Sequence, residues 1–255
     1  MEASDIDPIS QLVTVDTDQT IGQIDEQLVS HGWTLNYHGI PHNDYLLAEA
    51  LNQRVPNLYH GAFGGIEELC LQIRLAQPDG SLWVNRLTPR SSTGPDLKKL
   101  AIGSGQRLGI PVQAVMRIFP LPELTRVACL LFPQAGQRQL FQQFLRRHRL
   151  AIPLQASLDT EEVRNFLTEP VGREFPLGLA LWGNAWEVEM TETLLEERMG
   201  NQKGELYWLE EKTQDDFLEF LHEAAIRDWK TQYEVAQEPL DPSYQRLMKK
   251  IMEIS

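Results

Sequence analysis

Residues 93–110 constrain this chain more than any other stretch: Gly94, Gly103, Gly105, Gly109 and Ser104 crowd around a short helical patch and lead into a β-branched strand. Glycine lacks a Cβ and accepts positive φ, so such a loop lets backbone N–H groups approach a ligand closely. The same loop can also be a purely structural turn, and the residues alone leave both readings open. No second glycine-rich phosphate cradle occurs in residues 1–92. The chain therefore reads as half of a nucleotide site.

With 255 residues, 42 % apolar and 23 % charged, the chain can hold one large or two small soluble domains. No apolar run approaches the roughly 20 residues that span a bilayer. The acidic start, Met1 to Asp7, lacks the basic-then-apolar order of a secretion signal. Cys70 and Cys129 both sit in apolar, strand-like runs and suggest no disulfide framework, so a cytoplasmic location is expected. The net charge is −13, and residues 187–234 contribute fourteen acidic and five basic side chains, a net of −9. That sign excludes a nucleic-acid surface. It fits a solvated helix face or a surface for a basic partner.

Leu12–Val15 reads as a strand, and Thr20 with Gln23 forms a capping box for a helix that buries Ile21, Ile24 and Leu28 before Gly32. Residues 33–62 read as a long loop with one helical turn near Leu46–Leu51. Leu69–Leu75 alternates as a half-buried strand, and Pro78-Asp79-Gly80 turns it back into Leu82–Val84. A helix at 97–101, the glycine loop and a strand at Val112–Phe119 follow. Pro120-Leu121-Pro122 marks a boundary. Beyond it, a strand at Arg126–Phe132, a basic amphipathic helix carrying Leu140 to Leu145, a hairpin over Leu179–Met190, a helix at Glu192–Met199 and a strand at Leu206–Leu209 give the β-α-β-β-α-β order of a split βαβ, ferredoxin-like unit, with Ile152–Leu158 open to a further strand. Residues 160–176, with Pro170 and Pro176, look irregular. Asp215–Lys230 reads as a helix, and Tyr244–Met252 as a last short one.

Several of these segments resemble the FAD-binding domain of the PCMH type, the vanillyl-alcohol-oxidase-like flavoproteins that include D-lactate and glycolate dehydrogenases. Val13-Thr14-Val15 and the helix ending at His31-Gly32 are similar to the family's opening strand and helix. Phe63-Gly64-Gly65-Ile66-Glu67-Glu68 is similar to its Tyr-Gly-Ser-Ile-Arg-Asp stretch, and Gly94-Pro95-Asp96-Leu97 to its Gly-Tyr-Asp-Leu. Gly103-Ser104 with Leu108-Gly109-Ile110 matches Gly-Ser-x-Gly-x-Leu-Gly-Ile, the most specific of these signatures. Asn184-Ala185-Trp186 and the helix around Asp216–Glu223 look like the abbreviated cap of the small FAD-domain subunit of glycolate dehydrogenase. The resemblance implies an α+β chain: the second lobe of a PCMH-type FAD-binding domain over residues 1–122, a ferredoxin-like cap remnant over 123–235 and a tail over 236–255. It implies FAD as the cofactor, touched by Gly103, Ser104, Gly105, Gly109, Ile110, Phe63 and Gly64.

The departures from the family matter equally. Its glycine-rich pyrophosphate loop precedes the segments matched here, and its Thr-x-Gly-Gly pair falls by spacing on Ala48-Glu49. A carboxylate about 4 Å from a phosphate charge, at an effective dielectric near 20, is repelled by roughly 4 kcal/mol, about a thousandfold in affinity. The loop's third glycine is Gln106, and Pro95 replaces the tyrosine. The expectation is an accessory, non-catalytic subunit related to FAD-linked 2-hydroxy-acid dehydrogenases, docked on a complete flavoprotein subunit. Two alternatives stay open: an FAD-binding subunit whose phosphate lobe comes from another chain, and a stand-alone interaction module. His38, His42 and Asp44 read as polar loop residues and not as a metal site, because Gly39 and Pro41 oppose the helix their spacing would need. No catalytic base is assigned: His60, His148 and His222 fall in no matched motif, and His222 reads as exposed on its helix. Trp182, Trp186, Tyr207 and Trp208 read as cap core, with a subunit interface as the lesser reading.

Overall fold

The computed structural model describes residues 5–77, 79–87, 96–148, 150, 152–167, 172, 174–201 and 204–236, with side chains through Thr231. Pro78, Gly94, Pro95, Pro170 and the expected Tyr244–Met252 helix lie outside the described residues.

In the first half the order is β1 (Ile6–Asp7), β2 (Leu12–Asp16), α1 (Ile21–Val29), β3 (Trp33–Thr34), α2 (Leu47–Gln53), α3 (His60–Phe63), α4 (Ile66–Leu69), β4 (Cys70–Ala76), β5 (Leu82–Val84), α5 (Leu97–Ala101), β6 (Ile110–Arg117) and β7 (Phe119–Pro120). Five strands pair antiparallel in the order β1-β2-β6-β4-β5, and β3 pairs with β7. The capping box forms as the sequence predicts: Gln23 N donates to Thr20 Oγ1 at 3.2 Å and Thr20 N to Gln23 Oε1 at 3.0 Å. Ile21, Ile24 and Leu28 are buried with Val13, Val15, Ile73 and Met116 in one core. The stretch read as a long loop is more ordered than its Asn, His, Pro and Gly content suggests. Asn57 ties it together, accepting from His38 N (3.0 Å) and Tyr59 N (3.1 Å) and donating to Asn36 O (3.3 Å) and Gly64 O (2.8 Å).

The second half runs β8 (Leu124–Phe132), α6 (Ala135–His148), β9 (Leu154–Ser157), α7 (Thr160–Val163), β10 (Phe175–Gly183), α8 (Ala185–Gly200), β11 (Glu205–Trp208) and α9 (Glu211–Ala236). Its sheet is antiparallel in the order β11-β8-β10-β9, the ferredoxin-like arrangement. Both faces are covered. Ala128, Leu130 and Phe132 pack with Phe141 of α6 and Val188 and Leu195 of α8, while Val127, Cys129 and Leu131 pack with Phe217 and Leu221 of α9. A strand buried on both sides reads as a continuous apolar run, which is what residues 127–132 are. Helix α9 lies very close to β10 at Gly178, where a Cβ would sit 2.5 Å from Leu221 Cδ1.

Two expectations fail here. Ala185–Met190 is not the second arm of a hairpin but the start of α8. Asn184 caps that helix, accepting from Glu187 N at 2.9 Å, and a capped helix start outweighs weak alternation. The tryptophans do not form one core either: Trp186 is 69 % exposed, and Trp182 faces the other lobe.

Candidate functional site

The glycine loop adopts the backbone its sequence demands, with φ of +83° at Gly103, +59° at Gly105 and +122° at Gly109, and Gln106 also positive at +69°. At Gly109 a Cβ would lie 2.8 Å from Ala76 O, so β4 excludes any other residue. The loop's N–H groups, however, are directed inward. Gly103 N donates to Leu51 O at 2.8 Å and Gly105 N to Asn52 O at 3.1 Å, closing the C-terminal end of α2. Ser104 N, Arg107 N and Gly109 N donate to Ala101 O, Ser104 O and Gln106 O. The N-terminal end of α2 is closed as well: Leu47 N meets Gln19 O and Ala48 N meets Thr17 O, both at 2.9 Å, while Glu49 Oε2 accepts from Leu46 N at 3.2 Å. Glu49 therefore caps a helix where the family resemblance has glycine.

The expected site residues are divided in space by role. Phe63 stacks obliquely on Phe119, with ring centroids 4.9 Å apart. Gly64, at φ +89°, presents its carbonyl to Asn57. Ile110 begins β6 with 52 % of its surface exposed. Tested against a dinucleotide, the N–H groups of Gly103, Ser104, Gly105 and Gly109 already donate to backbone carbonyls and are not free to meet a phosphate.

The structure assembles a second group that the sequence does not announce. Tyr59 Oη lies 2.6 Å from His222 Nε2, and His222 Nδ1 lies 2.8 Å from Leu218 O. With Nδ1–H donating to Leu218, Nε2 carries the lone pair that takes the Tyr59 proton. Trp182 Nε1 donates to Asn36 Oδ1 at 3.2 Å, and the Tyr59 and Trp182 rings meet edge-on at 5.0 Å. The His38 ring is 5.7 Å from that of His222. Burial pushes the His222 imidazole below its ordinary range. His38 is lowered by burial first and by His222 next, and burial drives the Tyr59 phenol well above its usual value. The imidazole and the phenol hold one another through this bond, which acts as a bolt between the lobes.

His222 is thus partly buried, not exposed. Its position on α9 offered no warning, because its partner lies 163 residues away. His42 stacks on Tyr45 at 4.5 Å, and among the described residues there is no group of three or more His, Cys, Asp or Glu that could hold a metal ion. Cys70 and Cys129 are free and buried, their thiols pushed up to about 12 by burial. No helix among the described residues is long and apolar enough to cross a membrane.

Beside the bolt, the lobes enclose a cleft of about 470 Å³. Residues 54–60 of the first lobe form one wall, and α6, β9 and α9 form the other.

The five-stranded antiparallel lobe with this glycine loop, together with the ferredoxin-like unit joined to it, shares its fold with solved structures of alkyldihydroxyacetonephosphate synthase. In sequence, too, the chain is similar to alkyldihydroxyacetonephosphate synthase. The Caenorhabditis elegans protein is 28 % identical over 114 residues, which is 44 % of this chain and 19 % of that one. Two solved structures of alkyldihydroxyacetonephosphate synthase, in P212121 and P1, align with TM-scores of 0.72 and 0.70 at 17 % and 18 % identity. They cover 88 % of this chain, which spans 44 % and 45 % of theirs. No protein-family model matches the chain.

Proposed function

We propose that this chain is an accessory, non-catalytic subunit of an FAD-linked oxidoreductase of the 2-hydroxy-acid (glycolate or D-lactate) type, docking on a complete flavoprotein subunit. One observation carries the reading: the N–H groups of Gly103, Ser104, Gly105, Arg107 and Gly109, and of Leu47 and Ala48 at the start of α2, already donate to carbonyls and are not open to a dinucleotide. The shape is kept and the grip is not.

The docking half rests on where apolar side chains are left in solvent. In the first lobe, Leu82 and Ile110 flank Ala76 in one cross-strand row and are 62 % and 52 % exposed. Val84, Val112 and Leu108 are exposed as well. Helix α5 is inverted relative to its sequence: Lys98 is buried, its Nζ donating to Glu67 O at 3.0 Å and Cys70 O at 2.5 Å, while Leu97 and Leu100 face outward. Clustered exposed apolar side chains mark interaction surfaces. A partner that covers them, and supplies its own flavin, fits both observations. Purified alone, the chain should be colourless between 350 and 500 nm. Mixed with an FAD-loaded glycolate dehydrogenase flavoprotein subunit, it should co-elute with the 450 nm absorbance, and Ile110→Asp should abolish co-elution. Stoichiometric flavin on the lone chain would sink the non-binding part; no co-elution would sink the docking part.

A further inference from the structure

The cleft between the lobes has a lining whose unmet valences differ in kind. Gln155 Oε1 is shielded from solvent and has no hydrogen-bond partner. Asp228, on α9, accepts from Ser157 N at 2.8 Å and is half-buried; burial raises its pKa, against the Ser157 hydrogen bond and the Arg227 and Arg138 charges, which lower it. Gln155 and Ser157 share the face of β9 that meets Gln142 of α6, while Asp228 reaches the Ser157 backbone from α9, and Gln155 and Asp228 both line the cleft. Arg146, near the end of α6, lines the cleft and has no hydrogen-bond or ion-pair partner among the described residues. Arg54, on the opposite wall, reaches Glu67 only at 4.0 Å and donates to Lys99 O at 3.3 Å. Leu58, Val55, Ile40 and Ala225 supply apolar wall, and Asn57, His60, Glu67 and Gln142 supply further polar lining.

We infer that this cleft binds a small apolar amino acid as its zwitterion, the ammonium on Asp228 and Gln155 Oε1, the carboxylate on Arg146, and the side chain against Leu58 and Val55. A buried acceptor without a donor is unfavourable, and an ammonium would satisfy it while meeting the carboxylate that lines the same cleft. A guanidinium is the group best shaped for a carboxylate. A simple anion would leave Gln155 Oε1 without a donor and would be repelled by Asp228 and Glu67; a simple cation would make no use of Arg146. The site uses neither flavin nor the exposed face proposed for docking, so it stands or falls separately from that reading.

The test is titration calorimetry on the full chain with three probes of one skeleton: L-leucine, 4-methylpentanoate, which lacks the ammonium, and 3-methylbutylamine, which lacks the carboxylate. L-leucine should bind at least tenfold more tightly than either analogue. Arg146→Met, at the exposed mouth of the cleft, should weaken L-leucine at least tenfold and leave the melting temperature unchanged. Asp228→Asn, which keeps the acceptor for Ser157 N, should erase the preference for L-leucine over 4-methylpentanoate. Equal binding of L-leucine and either analogue overturns the assignment, as does no heat from L-leucine at millimolar concentration or binding untouched by Arg146→Met.

Discussion

Tyr59 and His222, 163 residues apart, share a 2.6 Å hydrogen bond that fastens the first lobe to helix α9. Tyr59→Phe removes the proton donor and leaves His222 Nε2 without one. The expected loss is about 1 kcal/mol in urea unfolding, with the ring contact to Trp182 retained.

The same bond ties stability to pH. His222 and His38 both have folded pKa values below the unfolded reference, about 6.5, chiefly through burial. Below that reference the unfolded chain binds protons that the folded chain does not, so stability present at pH 7.5 is lost as pH falls through and below about 6.5. The urea midpoint should drop between pH 7.5 and pH 5.5, and the His38→Gln, His222→Gln double variant should flatten that slope.

Asn57 is 4 % exposed and holds four backbone partners across residues 36–64. Asn57→Ala strands His38 N, Tyr59 N and two carbonyls in a place water reaches poorly. A loss of about 3 kcal/mol is expected in chemical unfolding, with Tyr59–Trp182 contact loosened and tryptophan emission shifted to longer wavelength.

The glycine loop should respond as architecture. Gly109→Ala combines φ +122° with a 2.8 Å approach to Ala76 O, and should cost about 2 kcal/mol or more. Gly105→Ala meets nothing within 4 Å and at φ +59° should cost only about 1 kcal/mol. Equal costs in thermal unfolding would contradict this account.

Restoring glycine at position 49 should not restore a flavin site. Glu49→Gly removes the side chain that accepts from Leu46 N, and in a helix costs about 1 kcal/mol. Leu47 N, Ala48 N, Gly103 N and Gly105 N remain engaged. The variant, refolded with excess FAD and desalted, should show no absorbance near 450 nm.

What the amino-acid sequence alone determined is whatever depends on neighbours within a few residues. The Thr20–Gln23 capping box, the alternation of β4, the positive φ of Gly103, Gly105 and Gly109 and the β-α-β-β-α-β order all follow from periodicity, caps and the missing Cβ. The misreading of 185–190 shows the limit of that logic, since alternation and an N-cap competed and only the cap's hydrogen bond decided. Tertiary structure settled the rest. It chose which carbonyls the glycine loop would face, turned Lys98 inward and Leu100 outward, and set Tyr59 on His222 and Trp182 on Asn36 across 163 and 146 residues. Contacts at such separations arise from how the two sheets and α9 pack, and packing of whole elements leaves no local pattern in the chain that composes them.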